Sequence, residues 1–518
     1  MPATDDRQDS PAPASAPGRT PQTDPRALAA RILSLPHPGP GLAAADDVLV
    51  DLVAVGDDGP GLAAHLAADQ RARGLLVGAI ANAPFLRDLM RGRPGMVLGI
   101  LTTSPEARMD GLIARLRACG DGSEAEVMAE LRRVKREAAL LIALADLGGV
   151  WQLFEVTGAL TRLADASVSA ALRFLLGEAA RQGKFQPPDP ADPEAGSGLV
   201  VLGMGKQGAG ELNYSSDIDL IVFYDTDRAP LAEGVEPATF FVRLIRRMVR
   251  ILQDRTADGY AFRTDLRLRP DPGATAVAIS LAAAFQYYES IGQNWERAAL
   301  IKARPCAGDI AVGQHFLKEI APFVWRKYLD YASIRDIHSI KRQIHAVKGH
   351  GRVAVAGHNL KLGRGGIREI EFFVQTQQLI AGGRLPELRG RETVPMLYAL
   401  ARLGWLDGAT RDAMADDYVF LRRVEHRIQM VNDEQTHTLP ETPDGLDRIA
   451  RLSGFRSRED FAPALMERLK RVSGHYEDLF DQEPSLSGAS ATWSSPATRT
   501  TRKRWRPCAA SASSAPRR

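Results

Sequence analysis

Two aspartates one residue apart, Asp217 and Asp219, stand at the start of the hydrophobic run Ile218-Asp-Leu-Ile-Val-Phe-Tyr224. On a β-strand, residues two apart project from one face, so the two carboxylates aim at a common point. Carboxylates placed side by side repel, and a divalent cation or a shared proton is what usually makes such a pair stable. Mg²⁺, with Mn²⁺ as the alternative, takes oxygen ligands and commonly combines one or two carboxylates with substrate phosphates. A third carboxylate, Asp265, lies with Arg267 and Arg269 in another strand-like stretch. It could complete a metal site, and two ions a few Å apart would steady the entering and leaving oxygens of a displacement at phosphorus. Upstream, Gly203-Met-Gly205-Lys206 follows a hydrophobic run. Side-chain-free backbone at a strand-to-helix turn lets N–H groups approach phosphate oxygens, and Lys206, Ser215 and Ser216 add donors. A Gly-x-Gly alone is often a plain turn and an Asp-x-Asp alone is often a solvated strand. Together, between two hydrophobic strands, they point to phosphoryl chemistry.

The elements around these residues define a predominantly helical α+β chain, with a small mixed sheet between two helical regions. Residues 1–24, rich in Pro, Ala, Asp and Ser, read as disordered. From 25 to 185 the pattern is helical. Ser123 and Glu126 form a capping-box signature, and Val127, Leu131, Val134, Ala138, Leu141 and Ala145 recur at helical spacing. Arg132, Arg133, Lys135 and Arg136 then read as the solvated face of that helix. Residues 186–198, with four prolines and two glycines, read as a linker. Strands are expected at 198–203, 218–224 and 261–269, the last closed by Pro270-Asp271-Pro272-Gly273, with a helix at about 237–256 between the second and third. These belong to a sheet domain over 199–330. Helical periodicity returns to 483, broken near 349–366 and 382–395.

Composition narrows the function. Hydrophobic and charged residues are in ordinary globular proportion, and no apolar run is long enough for a membrane helix. The start lacks the apolar core of a secretory signal, so a cytoplasmic protein without membrane association is expected. The three cysteines, Cys119, Cys306 and Cys508, are scattered, which argues against a disulfide framework or a CxxC zinc site. Residues 484–518 carry seven basic residues and no acidic one, so the rest of the chain is net acidic, at −4 against +3 overall. Sequence-independent nucleic-acid binding by the body is therefore not expected. The tail reads as disordered.

Several other residues admit two readings. Lys302 and Arg304 are phosphate contacts or ion-pair partners, whereas Arg267 and Arg269, on the same strand parity as Asp265, are the preferred phosphate contacts. Gly363-Arg364-Gly365-Gly366 is a loop-to-helix turn or an anion-binding helix start. Glu369 and Glu371 beyond it pair with arginines or act chemically. His426 and His437 lack an HxxxH or cysteine companion and are set aside as metal ligands. Trp295, Trp325 and Trp405 read as packing residues rather than base-stacking platforms.

The text GMGKQGAGELNYSSDIDLIVFYD (203–225) resembles the nucleotidyltransferase signature of the glutamine synthetase adenylyltransferase/adenylyl-removing enzymes. Four more segments resemble that family in the same order: RTDLRLRPDPG (263–273), NWERAALIKARPCAGD (294–309), KLGRGGIREIEFFVQ (361–375) and FLRRVEHRIQMVNDEQTHTLP (420–440). The family has two tandem nucleotidyltransferase halves, and this chain resembles the amino-terminal, adenylyl-removing one. The resemblance implies phosphorolysis of an adenylyl-tyrosine on glutamine synthetase, giving ADP. It also implies a metal on Asp217, Asp219 and Asp265, and as partners glutamine synthetase, the PII signal protein, phosphate, ADP and ATP. The adenylylating half is not represented, and the composition beyond 484 fits a change of reading frame or a truncated gene product. Two other readings are a nucleotidyltransferase acting on RNA ends or a small molecule, and a non-catalytic module that binds glutamine synthetase or PII.

Overall fold

The computed structural model describes residues 24–120, 122–326 and 353–481. Met1–Tyr476 form one compact unit and Glu477–Arg518 a second. The chain is α+β and predominantly helical, with one small mixed sheet of five strands. No helix among the described residues is long and apolar enough to cross a membrane. Cys119 and Cys306 are free thiols, while Cys508, both terminal segments expected to be disordered, and part of the break near 349–366 lie outside the described residues.

The capping box forms as the sequence requires. The Glu126 amide donates to Ser123 Oγ at 3.3 Å and the Ser123 amide donates to Glu126 Oε2 at 2.7 Å, opening the helix Glu124–Leu147. Its apolar stripe is buried throughout. The adjoining charge run is not a solvated face, however. Arg132 is 1% exposed, and its guanidinium donates to the carbonyls of Met128, Ile251, Asp254 and Gly259. It satisfies the carbonyls that end the helix Pro237–Gln253, which the helix itself leaves unbonded. Lys135 lies over the Phe262 ring and Arg136 pairs with Asp258. Only Arg133 is exposed, bonded along its own helix to Glu130. Tertiary packing has used a charged face to bind the loop that leads into the sheet.

The strands are β1 (Leu199–Gly203), β2 (Asp217–Tyr224), β3 (Arg263–Asp265), β4 (Ile279–Ser280) and β5 (Arg304–Gly308). Their order is β3-β2-β1-β5, with β4 also pairing β2. β1 runs antiparallel to β2 and β5, whereas β3 and β4 lie parallel to β2. Alternation then assigns the faces. Val200, Leu202, Ile221 and Phe223 share a core with Tyr288, Leu300 and Phe316 from the following helices. On the opposite face Tyr224 stacks on Phe241 of the helix Pro237–Gln253, ring centroids 4.9 Å apart. Asp217 and Asp219 have the parity of Ile221 and Phe223, so they extend the first face beyond its apolar core.

β3 is shorter than the expected 261–269. It stops at Asp265 because the Asp265 carboxylate accepts the Arg267 amide at 2.8 Å, a local turn that competes with strand extension. Arg267 and Arg269 therefore do not share a strand face with Asp265. The Arg269 guanidinium instead donates to the carbonyls of Leu266, Pro272 and Thr275 and stitches the turn together.

Replacing Arg132 with Leu should lower stability by on the order of 3 kcal/mol, because several buried carbonyls lose their donor. Arg133→Leu should change it by less than ~0.5 kcal/mol. Urea unfolding of the two variants, compared at equal slope, measures the difference.

Candidate functional site

Strand register brings the three aspartates together. Asp219 sits directly opposite Asp265 across the β2–β3 pair, and Asp217 lies opposite Arg263. One carboxylate oxygen from each of Asp217, Asp219 and Asp265 lies within 4.8 Å of the other two. Gly205 makes this approach possible. Its φ is +51°, a region that favours glycine, and a Cβ there would meet Asp219 Oδ2 at 2.8 Å. The Met204 amide donates to the Asp219 carbonyl at 2.8 Å, anchoring the turn to β2. Gly205 also opens the short helix Gly205–Gly208.

Each carboxylate has its own environment. Burial pushes the Asp219 carboxyl up to about 7, and the neighbouring charges of Asp217 and Asp265 add to the effect. Asp265 is held below its ordinary value, chiefly by its hydrogen bonds from Arg267. That arginine side chain is 83% exposed. Asp217 accepts a 2.6 Å hydrogen bond from Gln435 Nε2, a residue 218 positions along the chain.

Asp217 and Asp219 form one wall of a cavity of about 390 Å³, within the range that holds a small-molecule ligand, and Asp265 adjoins them through its carboxylate. Gly205, Lys206 and Ser216 border the same wall. Lys361, Arg368, Glu371, Phe372, Gln435, His437, Trp295, Leu268 and Ala299 complete much of the lining. The donor set at the aspartates is all oxygen, which suits Mg²⁺ or Mn²⁺, and a cation would offset both the burial and the acidic neighbours that raise Asp219.

The remaining candidates divide. Ser215 is buried away from the cavity lining, its amide donating to Gln429 and its hydroxyl accepting from Arg263. Gly203 ends β1 behind the turn, and Arg304 pairs with Asp165 at 2.7 Å. Lys302 reaches the cavity but is buried and paired with Glu211 at 3.4 Å. Lys206 also reaches it, with its ammonium 3.2 Å from Glu425 and 4.0 Å from Glu371. Burial lowers Lys206 to about 8. Glu371 would be raised by burial alone, but Lys206, Lys302, Arg368 and Lys361 together hold it down at about 2. Gly365 has φ +76°, and a Cβ there would overlap the Leu469 carbonyl, so the glycine run serves close packing of the helix Ile367–Ala381 against the helix Arg458–Asp481. His426 is buried beside Asp146 at 3.7 Å. Trp295 is not a core residue, being 43% exposed and part of the cavity wall, and Trp405 is exposed as well.

Sequence reasoning missed Lys361, Arg368, Gln435, Glu425 and the cavity position of His437. All five lie within segments that resemble the family, Gln435 and His437 within the EQTHTLP end of the last. No periodicity in one chain could tie them to Asp217 and Asp219, which lie more than 140 residues away in every case.

Residues 74–319 match the family model for glutamate–ammonia ligase adenylyltransferase, and residues 338–481 match that for GlnD PII-uridylyltransferase. The chain is 58% identical over 411 residues to a bifunctional glutamine synthetase adenylyltransferase/adenylyl-removing enzyme of Xanthobacter autotrophicus, covering 79% of this chain and 42% of that protein. A Rhodopseudomonas palustris protein of the same description is 56% identical over 410 residues, covering 79% and 41%. One from Bradyrhizobium sp. is 52% identical over 468 residues, covering 88% and 47%. The chain thus spans less than half the length of these relatives.

The raised Asp219 pKa carries a sign. A carboxyl that holds its proton more tightly when folded favours the folded state at low pH, and this contribution is lost as pH rises from the ordinary 3.8 through about 7. In metal-free buffer at pH 8, Asp219→Asn should therefore be more stable than the unmodified chain by on the order of 1–3 kcal/mol. The gap should close below pH 4. Thermal unfolding with a chelator present reads it, and a destabilised variant at pH 8 would contradict the assignment.

Proposed function

The chain belongs to the glutamate–ammonia ligase adenylyltransferase family, and from that premise we propose that it is a divalent-metal nucleotidyltransferase removing AMP from an adenylyl-tyrosine of glutamine synthetase. Phosphate is the acceptor and ADP the product. The observation that carries this reading is the convergence of the Asp217, Asp219 and Asp265 carboxylates, the first two of which line a cavity that the Gly205 turn also borders. The assignment to the adenylyl-removing half rests on the resemblance of residues 203–440 to the family's amino-terminal half. In this scheme residues 199–330 are the catalytic domain, flanked by helical regions over 25–185 and 331–483. The match over 338–481 supports PII as a regulatory partner. The cytoplasm is the compartment of such a reaction.

The residues present fit a cation. All three donors are oxygen, the Asp219 carboxyl is raised by burial and by its acidic neighbours, and the Arg267 guanidinium that pairs with Asp265 is 83% exposed. A bound Mg²⁺ or Mn²⁺ would neutralise the phosphoryl oxygens and hold them for in-line displacement. Asp217, Asp219 and Asp265 would be its ligands, with Gln435 orienting the Asp217 carboxylate. The Gly205 turn leaves room for the AMP phosphate beside Asp219, and the Ser216 hydroxyl offers a donor at that edge. Lys361 and Arg368 line the same cavity as Asp217 and Asp219 and would receive the attacking phosphate. They take the role first assigned to Arg267 and Arg269. Trp295, Leu268 and Phe372 supply an apolar wall for a base or a tyrosine ring. Such transfers depend on positioning and charge neutralisation more than on covalent chemistry by the protein.

The full chain, given adenylylated glutamine synthetase, phosphate and Mg²⁺, should release ADP, and a chelator should stop it. Asp217→Asn should lower kcat by about 100-fold or more. Lys361→Ala should chiefly raise the KM for phosphate, by roughly ten-fold for the loss of one charge-assisted contact. Release of AMP instead of ADP would assign the attack to water, and no release at all would sink the proposal.

A further inference from the structure

The leaving group in the proposed reaction is a phenol oxygen, with a pKa of about 10. Expelling it near neutrality is assisted by a proton donor, an effect worth roughly 10²–10⁴-fold in general. The three aspartates cannot supply that proton while serving as metal ligands. Lys206 is held by Glu425 and Glu371.

One group on the cavity wall is arranged differently. His437 Nδ1 lies 2.6 Å from Glu425 Oε1. Glu425 is fully buried, and its other oxygen lies 3.2 Å from Lys206 Nζ and 3.1 Å from Arg422 Nε. Two cations already offset this carboxylate, so the imidazole is not needed to neutralise it. The carboxylate acts on the imidazole instead: it accepts Nδ1–H, fixes the ring plane and supports the imidazolium, in which Nε2 carries the second proton and is the working nitrogen. The backbone is held as well, because the His437 carbonyl accepts the Leu360 amide at 2.8 Å. Two residues earlier, Gln435 bonds Asp217, and both Gln435 and His437 line the cavity that contains Asp217 and Asp219. A short segment thus delivers one side chain to a proposed metal ligand and an oriented imidazole to the space beside it.

We propose that His437 is the acid that protonates the departing tyrosine oxygen, with Glu425 as its positioning residue, a role that rests on the phosphorolytic reading above. Attack by an oxygen of hydrogen phosphate forms the P–O–P bond of ADP and breaks the bond between the AMP phosphorus and the tyrosine oxygen. The Nε2 proton of the imidazolium passes to that oxygen as it leaves, while Nδ1–H stays on Glu425. The proton of hydrogen phosphate then restores Nε2, so a neutral tyrosine and ADP are formed and the enzyme is unchanged.

The test compares two substrates that dock identically and differ in leaving-group acidity. Glutamine synthetase is adenylylated either on tyrosine or on 3,5-difluorotyrosine at the same position, whose phenol is the more acidic. The full chain and its His437→Gln and His437→Asn variants are assayed for ADP release with phosphate and Mg²⁺. The expected result is a loss of 100-fold or more in kcat for both variants on the tyrosine substrate, with most of it recovered on the difluorotyrosine substrate. The unmodified chain should distinguish the two substrates only weakly. Equal losses on both substrates would reduce His437 to a structural partner of Glu425 and overturn the proposal, as would variants that retain full activity. If one variant fails to fold, the other and the substrate preference of the unmodified chain still decide. Absence of ADP release by the unmodified chain would instead remove the phosphorolytic reading itself, an outcome distinct from either.

Discussion

Mutual repulsion among Asp217, Asp219 and Asp265 is the constraint around which the rest of the sheet domain is arranged. The β2–β3 register sets Asp219 opposite Asp265, and strand alternation adds Asp217 on the same side. Such an arrangement costs stability unless something opposes the charge. In the chain by itself the Asp219 carboxyl is raised, first by burial and then by its two acidic neighbours, and Arg267 folds back onto Asp265. Each is a partial answer to a problem that a divalent cation answers fully in the proposed chemistry.

Behind the aspartates lies a second layer of charge that is satisfied internally. Glu211, Glu371 and Glu425 are buried with Lys302 and Arg422 beside the half-buried Lys206, Tyr418 donates to Glu211, and Arg422 donates to Asn213. Buried charges of this kind persist only when paired with good geometry. Here the pairs run between the strand-to-helix turn of the sheet and the helices Ile367–Ala381 and Gly408–Asn432. The helical region is consequently part of the cavity and not an appendage to it, since it contributes Lys361, Arg368, Gln435 and His437. This dependence gives a physical reason for the site to span residues 205–437.

The helix Glu124–Leu147 shows the same economy at the back of the sheet. A helix with an exposed arginine row would gain little from it. With Arg132 buried against the end of the helix Pro237–Gln253, the row positions the loop that leads into β3 and hence Asp265. Desolvating a guanidinium is tolerated because several carbonyls, otherwise orphaned at a helix end, accept from it.

Read as text, the chain specified what local physics controls. The capping box at Ser123, the apolar stripe behind it, the hydrophobic strands around Gly203 and Asp217, and the shared face of Asp217 and Asp219 all follow from spacing alone, because helix and strand periods are short-range properties. The α+β character and the family resemblance were legible for the same reason. What spacing could not determine was where long side chains end. Asp265 reached the other aspartates through strand pairing, while Arg267 and Arg269, similar to it in pattern, were diverted when the Asp265 carboxylate captured the next turn. Arg132 went inward and Trp295 outward against their expected places. His437 and Gln435 acquired a position only when chain segments about two hundred residues apart packed against each other. Burial, charge compensation and hydrogen-bond partners are properties of the packed chain, and only tertiary structure could decide them.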